Sequence, residues 1–145
     1  MERQQKQRNT LHHAKIGAVN VTLTFDRLKA RGLKLGVATS DSEQGARRSL
    51  SRFNALDKLD FVAGYNSGHG LKPTAGMVNG FCAAMELAPE NIMVVGDNLH
   101  DMEMGVNAGA GMKVGVLTGT SERELLATLA DHVLTSIEEL ESILD

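Results

Sequence analysis

From Leu33 onward the chain alternates short apolar runs with longer amphipathic stretches. The apolar runs are Leu33–Thr39 (LKLGVAT), Asp60–Gly64 (DFVAG), Asn91–Asp97 (NIMVVGD), Met112–Gly119 (MKVGVLTG) and His132–Leu134 (HVL). They are strand-length and apolar nearly throughout, as expected of strands covered on both faces. Between them the pattern predicts helices near Glu43–Phe53, Ala75–Met85, His100–Ala108, Glu122–Leu129 and Ile137–Leu144. Strands that alternate with helices give parallel pairing through right-handed crossovers. The fold class expected is therefore α/β, a doubly wound, Rossmann-like, mainly parallel sheet. Ligands of such sheets gather at the carboxyl ends of the strands.

One segment reads two ways. In AVNVTLTF, Val19, Val21, Leu23 and Phe25 alternate as in a strand, yet Val21, Phe25 and Leu28 also fall at helical spacing. A strand there would be joined to Leu33–Thr39 by only about seven residues, whereas a parallel crossover needs a dozen or more. A helix over roughly Val21–Arg31, stopped at Gly32, is the better fit. Residues 1–15 (MERQQKQRNTLHHAK) carry no apolar pattern and are expected to form a polar tail, leaving 16–145 as one α/β core. His12 and His13 in that tail read as solvent-facing.

Composition removes several function classes. The 145 residues are 42% hydrophobic and 23% charged, ordinary for a water-soluble domain. A net charge of −3, one Tyr and no Trp leave no basic, aromatic-lined surface for nucleic acid. No apolar run approaches the ~18 residues that span a bilayer, and no signal core leads the chain, so no membrane role is expected. The single cysteine, Cys82, lies in a helical pattern as a small buried residue; without a pairing partner it suits a reducing, cytoplasmic setting.

The candidate chemistry lies at three strand exits. Thr39 and Ser40 follow LGVA, Lys72 follows SGHGL, and Asp97 follows MVVG. In a doubly wound sheet these can meet at one edge. A hydroxyl, an ammonium and carboxylates together suit a phosphate and a divalent cation such as Mg²⁺. Positions i, i+3 and i+4 bring Asp97, His100 and Asp101 together on a first helical turn. The plainer alternative is that Asp97 or Asn98 caps that helix and the other acids favour its dipole. His100 reads as a solvent-facing or outer residue, and Glu103 as surface. Ser40 with Glu43 matches a capping box, with Asp41 part of the cap. GAGMKVG is not a dinucleotide loop, since it precedes its strand, and SGHGLKPT is not a phosphate loop, since Pro73 stands where a hydroxyl is required. Tight turns account for both sets of glycines.

The order hydroxyl, lysine, acid pair resembles the haloacid dehalogenase superfamily, nearest its phosphoglycolate-phosphatase-like members. LKLGVATSDSE is similar to the family's second motif, HGLKP to its third and MVVGDNLHDMEMG to its fourth; the likeness runs over roughly Asp26–Asp145. The resemblance implies a Mg²⁺-dependent hydrolase of small phosphomonoesters. Thr39 would hold a phosphoryl oxygen with Ser40 beside it, Lys72 would neutralise phosphate and nucleophile, and Asp97 would ligate Mg²⁺ with Asp101 assisting. The family's first motif, an Asp-x-Asp strand that supplies nucleophile and general acid, has no counterpart before Thr39. The helical cap that selects the substrate is also missing. The chain thus reads as the back two-thirds of such a phosphatase, a core without its first-motif strand. On this reading it is inactive alone, or is a non-catalytic phosphate- and Mg²⁺-binding module. Its partner would be a complementing N-terminal segment or a second copy. Without a central strand, those ending at Thr39 and Asp97 would stand about 10 Å apart with ladder groups unpaired.

Overall fold

The computed structural model describes residues 2–5, 22–119 and 121–144. Six strands form one parallel sheet: β1 Glu2–Gln5, β2 Gly36–Ala38, β3 Phe61–Ala63, β4 Ile92–Gly96, β5 Met112–Val116 and β6 His132–Leu134. Their spatial order is β3-β2-β1-β4-β5-β6. The helices are α1 (residues 22–30), α2 Glu43–Arg52, α3 Gly76–Met85, α4 Leu99–Ala108 and α5 Arg123–Ala127. All five apolar runs contain the expected strands, and the ambiguous segment is helical over its described part. The stretch expected as a last α-helix is instead a 3₁₀ helix, Ile137–Ile143.

The polar tail requires correction. Residues 2–5 form the central strand, with Gln5 in register with Val37 of β2 on one side and Val95 of β4 on the other. The expected gap between β2 and β4 is therefore filled, although not by an Asp-x-Asp sequence. The physical reason is the demand for backbone partners: two buried neighbours each offer a row of amides and carbonyls, and any extended segment can satisfy them. The remainder of the expected tail, with His12 and His13, lies outside the described residues.

The alternation of side chains along each strand divides the core in two. Met93 and Val95 of β4 join Val37, Val62, Val114 and Val116 on one face, covered by Phe25 and Leu28 of α1, Leu50 of α2, and Ile137 and Leu140. Ile92 and Val94 join Ala38 and Ala63 on the other face, covered by Met77, Val78 and Phe81 of α3 and Met104 of α4. Cys82 is buried in this second layer, and burial pushes its thiol above the ordinary value. The hydroxyl side chain that starts α2 belongs to Ser42, whose Oγ accepts from the Gly45 N–H at 3.0 Å. The capping box expected of Ser40 is thereby corrected: Ser40 is exposed, two residues too early to meet the first turn.

Asp60 ties three elements at the opposite end of the sheet. Its Oδ2 accepts from the Leu35 N–H at 2.8 Å and from Lys29 Nζ of α1 at 2.6 Å. Burial pulls its pKa upward, but the Lys29 and Leu35 hydrogen bonds and the nearby lysine charges outweigh it, so the net shift is downward. A depressed pKa gives stability that is fully present above the unfolded value and fades as pH falls through the folded value. Asp60→Asn should therefore lower the urea midpoint at neutral pH, and the gap from the parent should close on acidification across that window. Gln4→Pro tests the central strand. In such a strand each N–H serves one neighbour or the other, so losing one should cost about 1–3 kcal/mol in urea unfolding. A polar tail would tolerate the change.

Candidate functional site

The carboxyl edge of the sheet is built around β4. Its residues are buried throughout, and Asp97, directly after Gly96, is only 3% exposed. Asn98 then caps α4: its side-chain oxygen accepts from the Asp101 N–H at 3.2 Å. Asp101 completes the box, its Oδ2 accepting from the N–H groups of Asp97 at 3.1 Å and Asn98 at 3.4 Å. The capping alternative is thus realised by Asn98, and it turns Asp101 back over the strand end. Gly96 makes room for this, since a methyl group there would lie 2.5 Å from Asp101 Cγ.

Lys72 arrives from the loop before α3, across a cis peptide bond to Pro73. Its Nζ donates to Asp101 Oδ1 at 3.0 Å, with the lysine side chain 5% exposed and the aspartate side chain 3%. A buried pair of this kind holds its partners because removing either one strands a charge, at a cost of about 3–5 kcal/mol. Lysine, Asp101 and the Asp97 backbone form one continuous polar chain.

Thr39 follows β2 and is 1% exposed. Its N–H donates to Ala63 O at 2.9 Å, extending the β2–β3 ladder, and its Oγ1 accepts from the Asp41 N–H at 3.1 Å. A hydroxyl that accepts still has its proton to donate. Register sets its height. Gln5 pairs with both Val37 and Val95, so Thr39 and Asp97, each two residues further on, lie level on either side of β1. Two strand spacings put them about 10 Å apart laterally.

His100 and Glu103 pair with each other at 3.1 Å, and the histidine side chain is 71% exposed. The glycines of the two dismissed loops do form turns: Gly68, Gly70 and Gly109 all have positive φ, the last as the C-cap of α4.

Two residues escaped the sequence reading. A methyl group on Gly119 would meet Asp97 Oδ2 at 2.7 Å, so the loop after β5 presses its backbone against that carboxylate. Next to it, Thr118 Oγ1 is buried with no hydrogen-bond partner among the described residues. The only signal was TG at the exit of a strand adjacent to β4.

Among the described residues no three His, Cys, Asp or Glu side chains meet as a ready-made metal cluster. Asp101 commits both oxygens to Lys72 and the helix cap. The donor set fits an ion that accepts one or two carboxylates and takes its remaining oxygens from water and phosphate, the habit of Mg²⁺.

The chain is similar to known proteins over most of its length. The chain is 29% identical over 142 residues to pyrophosphatase PpaX of Bacillus mycoides (strain KBAB4), a match covering 96% of this chain and 66% of that protein. The PpaX protein of Halalkalibacterium halodurans is 26% identical over 137 residues, covering 93% and 64%. Among solved structures, a predicted phosphoglycolate phosphatase from Haemophilus somnus 129PT superposes with a TM-score of 0.80 at 25% identity, over 87% of this chain and 56% of that one. A HAD phosphatase from Thermococcus onnurineus gives 0.73 at 25% identity, over 83% and 54%. The chain therefore spans just under two-thirds of the curated relatives and little more than half of these solved chains. The model of the haloacid dehalogenase-like hydrolases matches residues 2–117, the central strand and all three motifs included, and the chain belongs to that family.

Proposed function

We propose that this chain carries the phosphate- and Mg²⁺-handling part of a phosphomonoester hydrolase and turns nothing over by itself. The observation that carries the proposal is the buried Lys72–Asp101 pair beside Asp97, level with Thr39 at the carboxyl edge of the sheet. In the proposed site the Thr39 hydroxyl donates to a phosphoryl oxygen, with the exposed Ser40 beside it. Lys72 offsets phosphate charge. Asp97 is the direct Mg²⁺ ligand, and Asp101 assists by fixing Lys72 and the α4 turn. Bound Mg²⁺ would supply charge neutralisation at the phosphoryl oxygens.

A nucleophile is the missing role. Asp26 is the first aspartate in the sequence, so neither β1 nor the residues that follow it before α1 contain the Asp-x-Asp of the family's first motif. Hydrolysis would then need a complementing segment that brings those acids to the central strand. Binding of phosphate and Mg²⁺ without turnover is the reading the same observation favours for the chain alone. A small phosphomonoester is the substrate class, and the described helices include none long and apolar enough to cross a membrane. A buried lone cysteine fits a reducing cytoplasm.

Titration calorimetry with MgCl₂ and orthophosphate tests the binding role. Asp97→Ala should weaken Mg²⁺ about tenfold or more, equivalent to about 1.4 kcal/mol, while the fold persists. A peptide that bears an apolar Asp-x-Asp strand and displaces β1 from the centre of the sheet should confer Mg²⁺-dependent phosphate release; turnover by the unaided chain would overturn the proposal. Gly96→Ala should force Asp101 off the strand end, lowering stability by about 1–3 kcal/mol in urea unfolding and weakening orthophosphate binding.

A further inference from the structure

We infer that His69 is a positioning residue for Lys72, a latch that fixes the loop delivering the ammonium. The inference rests on the reading of Lys72 as the phosphate-facing cation. His69 sits between Gly68 and Gly70, both at positive φ (89° and 86°), so the chain doubles back at this residue. The imidazole fills the notch left by Gly80 in the middle of α3; a methyl group there would lie 2.6 Å from both Nδ1 and Cε1. On its other side the ring lies tilted against Phe61 of β3, with centroids 5.5 Å apart. The His69 carbonyl packs directly over Gly76, at the first turn of the same helix.

The loop has few other holds. Its apolar residue, Leu71, stays 57% exposed, so hydrophobic burial of Leu71 does not anchor it. Beyond Lys72, the Asn107 side chain donates to Pro73 O at 2.8 Å, and Thr74 Oγ1 donates back to Leu71 O. Upstream, the Gly64 N–H donates to Ser67 Oγ and Ser67 in turn donates to Glu43. These contacts secure the loop on either side of the Gly68–Leu71 stretch. Between them His69 is the side chain that grips α3, three residues ahead of Lys72. Without it the loop would be free to swing, and the lysine would leave Asp101 for part of the time.

The test reads Lys72 directly. Each lysine of the full chain is acetylated with acetic anhydride and its rate followed by peptide mass spectrometry. In the parent Lys72 should react slowly, being buried and ion-paired. In His69→Ala it should react about tenfold faster, as local opening predicts, while Lys113, on β5, keeps its parent rate. Gly80→Ala approaches from the opposite side. It favours the α3 helix intrinsically but evicts the imidazole, so it too should speed Lys72 with no rise at Lys113. Should His69→Ala not fold, Gly80→Ala decides alone. A Lys72 rate that stays at the parent value, or that rises only in step with Lys113, overturns the latch. The labelling needs no substrate, so its failure is separate from a failure of the phosphate reading, which orthophosphate titration reports.

Discussion

Two opposite charges buried at the end of a parallel sheet constrain everything around them. Lys72, from a loop, and Asp101, from the first turn of α4, are 29 residues apart and nearly without solvent, so each is tolerable only while the other is present. Asp101 also accepts two backbone N–H groups that would otherwise be orphaned at the start of α4. A single carboxylate thus sets the helix entry, closes the β4 strand end and anchors the lysine. Gly96 has to be glycine for it to do so. Lys72 is held through this one polar network, in place before any ligand arrives.

Most of the scaffold was legible in the sequence because β2 to β6 are short runs rich in apolar residues, and such strands announce themselves by that pattern. The Asp97 position was legible for the same reason: an acid directly after VVG has to emerge at a strand end. Other features depend on contacts the sequence does not display. Ser40 and Ser42 are both good caps by residue type, and the choice between them is made by a turn in which Thr39 Oγ1 takes the Asp41 N–H. The partnership of Lys72 with Asp101 is a meeting of a loop with the start of a helix distant in sequence. The approach of Gly119 to Asp97 depends on β5 lying beside β4.

The central strand is the instructive miss. Nothing in Glu-Arg-Gln-Gln suggests pairing between two apolar strands, and side-chain pattern is the main signal a sequence offers. What places these residues is the backbone. β2 and β4 each present unpaired ladder groups toward the middle, and β1 satisfies both at once. Pairing overrides pattern because buried amides without partners cost more than a poor choice of side chains on a short strand.

The composition of that strand also bears on what the site favours. Of the charged groups in the polar network, Lys72 contributes one positive charge and Asp97 and Asp101 one negative each, a net of −1. One Mg²⁺ brings the sum to +1, which attracts a phosphate dianion. Two more aspartates on β1, as in the family's first motif, would return the sum to −1 and add the groups that attack phosphorus and protonate the leaving oxygen. On the proposed reading, an edge without those acids would keep the attraction and lack the attack. In that proposal the charge balance would favour holding phosphate over transferring it, and a strand that supplied the two acids would change both the charge balance and the chemistry in one step.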